Sequence, residues 1–233
     1  MKLSSQQIEQ LYTFTRQHFV EWYDLQSELV DHLANAIEQE WEQNPNRTFD
    51  EILNKEFQKF GVFGFMDVVE EKQKFLNKKY TRLIWSYYRE FFVLPKIILT
   101  VALVYGLHII VHLLNNSNVF LIIAFSFLLI GVFYTFKRRY DFKQKVKKTG
   151  MKWLFEDIML NRDSILLFLL PSGIINFFNF FQNNFEPSGW RLIIGETAFV
   201  LVGLLVYIQL MIVPKRVAED LAKTYPEYYF QKV

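Results

Sequence analysis

The stretch SELVDHLANAIEQEW, residues 27–41, sets Glu28, Asp31 and His32 close together, with Glu38, Glu40 and Glu42 nearby. Carboxylates beside an imidazole are the residue types of a metal site or an acid–base pair. Helical geometry separates them. At about 3.6 residues per turn, Leu25, Leu29, Leu33, Ala36 and Ile37 share one face, widened by Val30 and Trp41. Asp31, Glu38 and Glu42 fall opposite, toward solvent. Glu28 and His32 are one turn apart on the flank, where an ion pair with each other is expected. Two groups at that spacing fall short of a metal site, which needs at least a third ligand, and no H-E-x-x-H pattern is present. Glu28, Asp31 and His32 are instead the exposed groups that a protein partner would meet.

The other residues that could do chemistry sit inside apolar runs. His108 and His112 are four apart, hence on one helical face. Asn176 and Asn179 fall in a later run, and Glu196 and Gln209 in the last. Polar groups in such segments are costly and often functional. His108, His112, Asn176, Asn179 and Glu196 come from three different runs at similar depth, in the outer half of the membrane if both termini are cytoplasmic. One reading is a site near the outer leaflet for a small ligand, a proton, a metal or haem, the last disfavoured because two histidines one turn apart on one helix seldom ligate the same haem. The other is interfacial polarity plus hydrogen bonds between helices. Ala102 and Gly106 form a small-xxx-small seam that points away from the histidines.

The elements that must position these residues follow from the hydropathy pattern. The chain has 233 residues, is 52% hydrophobic and holds no cysteine. Disulfides, thiolate chemistry and Cys-ligated metals are therefore excluded. Residues 1–90 are mixed and charged, and the opening has no apolar h-region of a secretory signal. Four later segments, 97–114, 119–136, 165–181 and 192–213, each approach the length of about 17–25 apolar residues that crosses a bilayer. The segment beginning KRRYDFKQKVKKTGMK (137–152) is strongly basic, residues 72–96 are basic too, and Lys215 and Arg216 follow the fourth run. Short Lys- and Arg-rich connections stay cytoplasmic, so both termini are expected inside. This excess reads as topology and attraction to anionic lipid, not nucleic-acid binding, since no groove-reading motif accompanies it. MKWLFEDIML (151–160) is expected to be a short helix in the inner interface, with Trp153, Leu154 and Ile158 inward.

The first 90 residues read as helices. Ser4 with Gln7, and Thr48 with Glu51, are capping-box patterns. Asp24 is a candidate N-cap for the helix that ends near residues 44–46. Gly61 and Gly64 interrupt the chain before a long helix from about Phe65 to Phe92. Pro95 marks the join to the first apolar run.

LQSELVDHLANAIEQEW followed by RTFDEILNKEFQKFG resembles the small helical domain called HAAS, related to permease-prefix domains. Glu28, Leu29, Asp31, His32, Thr48, Glu51, Phe60 and Gly61 stand at the points that carry the likeness, over roughly residues 20 to 75. The close, KFGVFGFMDVVEEKQ, departs from the usual pattern in lacking its proline. The resemblance implies a bacterial signalling or regulatory adaptor with a link to PadR-type regulators; it does not imply catalysis.

These readings combine into an all-α protein. A cytoplasmic helical domain (1–90) precedes a four-span membrane domain (91–213) and a cytoplasmic tail (214–233), in a bacterial inner membrane. The expected role is a non-enzymatic sensory or regulatory adaptor, without cofactor or metal, partnered by the bilayer and by another protein or a second copy. The alternative is a small transporter or ligand-binding membrane subunit built on the outer polar residues.

Overall fold

In a computed structural model, residues 2–114, 117–163 and 190–228 are described, and every regular element among them is helical. The chain divides into two compact units: Met1–Asn77 with Lys145–Ile158, and Lys78–Gln144 with Met159–Val233.

The first unit is built from α1 (Ser5–Gln17), α2 (Tyr23–Gln43), α3 (Phe49–Gln58) and the start of α4 (Met66–Glu90). Both capping boxes form, at Ser4 with Gln7 and at Thr48 with Glu51, so orphan N–H groups at each helix start are satisfied. The α2 pattern is realised: Leu25, Leu29, Val30, Leu33, Ile37 and Trp41 are buried in one core with Leu11, Ile52 and Phe65. Each such side chain stabilises the unit by about 1.5–3 kcal/mol. Gly61 and Gly64 take positive φ, +77° and +55°, in the turn between α3 and α4. Gly64 is doubly constrained, because a Cβ there would lie 2.8 Å from the Phe57 ring. That ring is itself wedged between Phe14, His18 and Phe65, with centroids 5.1, 4.2 and 4.9 Å away.

One expectation for this unit is corrected. Asp24 does not cap α2, whose N-cap is Trp22. Asp24 lies one residue inside the helix, buried, and its Oδ1 accepts the Leu154 N–H at 3.1 Å. It thus satisfies the start of a different helix, α7, which occupies residues 154–163. The segment 151–160 becomes helical from residue 154, and the three residues expected to face inward, Trp153, Leu154 and Ile158, are buried. Trp153 and Leu154 are buried in protein, with the Trp153 ring 5.5 Å from Tyr23. Lys152 O accepts from Tyr23 N at 2.7 Å, and Trp22 Nε1 donates to Asp157 at 3.1 Å. These bonds supply partners that backbone and side-chain polar groups at a helix entry need.

The second unit contains the rest of α4, α5 (Lys96–Leu113), most of α6 (Ser117–Thr149), α8 (Trp190–Tyr207), a π-helical turn (Ile208–Ile212) and α9 (Val213–Thr224). Among the described residues, Lys96–Leu113 and Leu192–Thr224 are long and apolar enough to cross a membrane. The second apolar run, 119–136, is helical within α6, and the third, 165–181, lies outside the described residues. Large apolar side chains face outward on α5 and α6, among them Ile98, Val101 and Tyr105, then Ile122, Ile130 and Phe133. The π turn precedes Pro214, whose ring and missing N–H disturb the ladder one turn back.

Candidate functional site

α5 and α8 pack through Leu107, Val111 and Leu192, joined by Phe120, Ile123, Phe199 and Val200. The face of α5 that carries Leu107 and Val111 also carries His108. Its Nδ1 lies 2.9 Å from Glu196 Oε2 on α8. Glu196 is fully buried, and its other oxygen, Oε1, has no hydrogen-bond partner among the described residues. The His112 ring stands 6.1 Å from that of His108. Two of the five outer polar residues are therefore in contact and a third is adjacent, while Asn176 and Asn179 lie outside the described residues. Among the described residues nothing packs against the seam at Gly106, where a Cβ would meet nothing within 4 Å. Leucine and valine knobs form the contact instead, which puts the histidine face toward α8.

The opening stretch stays a helix surface. Asp31 and His32 are exposed, and the His32 ring lies 6.5 Å from Phe60. Glu28 does not pair with His32. Its Oε2 takes Lys72 Nζ from α4 at 2.5 Å. The long Lys72 side chain reaches the carboxylate from the neighbouring helix, so the closest partner of Glu28 comes from α4 and not from its own helix. Among the described residues no three His, Asp or Glu side chains gather as a metal site would require.

A second polar constellation, missed in the sequence, centres on Asp163. Its carboxylate is completely buried and accepts three donors. Arg138 Nη1 from α6 lies at 2.5 Å, Gln209 Nε2 from the π turn at 3.0 Å, and Tyr80 Oη from α4 at 3.3 Å. Beside it, Arg162 donates to Thr81 at 2.7 Å and sits over the Tyr80 ring at 5.4 Å, and Arg139 donates to Asn161 at 3.1 Å. Burial pushes the Asp163 carboxyl up, against the pull of Arg138 and the two other donors. Burial likewise raises the Tyr80 phenol, helped by the neighbouring carboxylate. With its acceptor sites filled from three elements, this carboxylate is suited to fixing helices, not to attacking a substrate. The only sequence signal was Gln209 inside an apolar run. Arg138 was absorbed into the basic segment, and Asp163 gave no local pattern.

No protein family, curated protein or solved structure matches the chain.

Proposed function

We propose that the chain is a multi-pass protein of a bacterial inner membrane, with both termini cytoplasmic, that acts as a non-enzymatic regulatory adaptor. The first unit would bind a cytoplasmic protein, and the second would anchor it and sense conditions in or across the bilayer. The observation that carries this reading is a contrast in burial. Residues 2–77 close a hydrophobic core of their own, while α5 and α6 turn apolar side chains outward along their length. A fold that exposes Ile130 at 67% and Phe133 at 74% needs an apolar solvent, and a bilayer supplies one. The aromatic cluster of Trp85, Tyr88 and Phe92 before α5, with centroids 5.5 and 5.1 Å apart, suits the inner interface. In support of the regulatory role stands the HAAS-like stretch, which also motivates a PadR-type regulator as the functional link.

The test is cross-linking in intact cells followed by detergent extraction of the tagged full chain. A specific cytoplasmic protein should be recovered, and should be lost with Leu33→Asp, which puts a charge into the core of the first unit. A monomeric chain that recovers no partner contradicts the adaptor reading.

One observation favours a second reading. A buried Glu196 held by His108, with one oxygen left over, suits a proton- or ligand-binding membrane subunit. Loss of ligand-dependent or proton-dependent behaviour in Glu196→Gln, with partner capture unchanged, would favour that role over the adaptor.

A further inference from the structure

Phe19 occupies a conformation that its side chain does not suit. It follows the end of α1 with φ +65°, and the next residue closes the helix with Val20 N–H bonded to Thr15 O at 3.1 Å. This left-handed position after a helix is where glycine is normally found, because a Cβ there is strained. The phenyl ring gains little in return from the fold, since Phe19 is 76% exposed. Strained residues of this kind point to a use outside the fold.

The surroundings supply one. Val62 and Phe63, in the turn between α3 and α4, are 98% and 71% exposed, and Met66 at the start of α4 is exposed too. Phe19, Trp22, Phe63 and Met66 line a groove of about 540 Å³ within the first unit. Its rim is acidic. Glu21, Asp67 and Glu70 line it; Lys152, which also lies over the Trp22 ring at 5.0 Å, pairs with Glu21 at 3.1 Å, and Lys74 pairs with Glu70 at 2.6 Å.

We propose that this groove is the docking site for an amphipathic helical segment with basic flanks, contributed by another protein. The apolar floor and exposed aromatic knobs match the apolar stripe of a helix laid into a groove. Glu21 and Glu70 share their charge with lysines, whereas Asp67 has no ion pair among the described residues and matches a basic flank at its end of the groove. The Asp67 carboxylate disfavours the other apolar surface available to a membrane-anchored domain, since anionic headgroups repel it. The proposal deepens the adaptor reading and rests on it, by assigning the surface and the partner chemistry.

The experiment uses the full chain in phosphatidylcholine nanodiscs with photoreactive benzoylphenylalanine in place of Phe63. The probes are a short amphipathic helical peptide of leucine and lysine, and the same peptide with every lysine replaced by glutamate. The lysine peptide should cross-link at half-saturating concentrations about tenfold below the glutamate peptide, a gap set by rim charge. Phe19→Gly suits the backbone at that position, so it keeps the fold while weakening the lysine peptide about fivefold or more, as removal of an aromatic anchor does. Asp67→Lys with Glu70→Lys should reverse the preference. Equal capture of both peptides, or capture indifferent to Phe19→Gly, overturns the proposal. Cross-linking to lipid in place of peptide overturns it too and makes the surface a membrane contact. If a cytoplasmic partner is recovered from cells and its capture ignores Phe19→Gly and the double reversal, the groove is wrong while the adaptor reading stands.

Discussion

His108 on α5 and Glu196 on α8 are 88 positions apart in the chain, and their side chains meet at 2.9 Å. The contact sits beside the Leu107–Val111–Leu192 packing, so apolar knobs bring the helices together and the polar pair sets their register. Residues sharing one polar interaction couple by more than about 0.5 kcal/mol, whereas independent sites add. Glu196→Gln, His108→Ala and the double variant should therefore be non-additive in stability, measured in a native-like bilayer. Additive effects would mean that the pair is a bystander to packing.

Asp24 gives the first unit an inverted pH response. Burial pushes its carboxyl from 3.8 up to about 6, opposed by the N–H groups that it accepts, Leu154 foremost, and by Lys72. The unfolded chain releases this proton first. The contribution of Asp24 is therefore full below pH 3.8 and declines until pH reaches about 6. Over that window the loss is about 3 kcal/mol. Asp24→Asn keeps an oxygen for Leu154 and removes the charge. Compared with the parent, it should be near neutral at pH 4 and more stable at pH 7, as followed by thermal unfolding. Equal stability of the two proteins at pH 7 would show that the carboxylate is better solvated than its burial indicates.

The Asp163 network should respond unequally to its two charges. Asp163 is entirely buried, whereas the Arg138 side chain retains 16% exposure and a route to solvent. Arg138→Met strands the carboxylate and should cost about 3–5 kcal/mol, the range for breaking a buried pair from one side. Asp163→Asn keeps an acceptor for Gln209 and Tyr80 and lets Arg138 turn outward, so it should cost less. Chemical denaturation of the two variants decides; the reverse order would place the dominant cost on the guanidinium.

The two turn glycines separate strain from crowding. Gly61→Ala adds a Cβ into open space at positive φ, a cost of about 1 kcal/mol from the left-handed backbone alone. Gly64→Ala adds to that a 2.8 Å approach to Phe57, whose ring is held on three sides. Overpacking of this kind adds about 1–3 kcal/mol. Gly64→Ala should melt well below Gly61→Ala, and equal melting points would mean that the Phe57 ring yields freely.

Local features were readable in the sequence because their causes are local. Ser4 with Gln7, Thr48 with Glu51, the glycine turn and the buried face of α2 each depend on residues within a turn or two. Asp24 was misread because its partner, the Leu154 N–H, lies 130 positions later, and a carboxylate near a helix start carries no mark of which helix it serves. Glu28 was given the nearest base on its own helix, but Lys72 arrives from α4. The Asp163 network draws on partners 25, 46 and 83 positions away, each unremarkable alone. The meeting of His108 with Glu196 could be anticipated only because charge in an apolar helix is rare enough to invite a partner.

The central claim is that the first unit and the basic segment share the cytoplasmic side of a membrane. Single cysteines suit the test, since the chain has none of its own. With an impermeant thiol reagent on intact cells, cysteines at Asn116 and Asn184, in the connections that the apolar pattern puts outside, should label. Cysteines at Lys147 and Lys223, both exposed, should label only after the membrane is opened. Labelling at Lys147 in intact cells would contradict the orientation, and with it the assignment of the first unit as a reader of cytoplasmic partners.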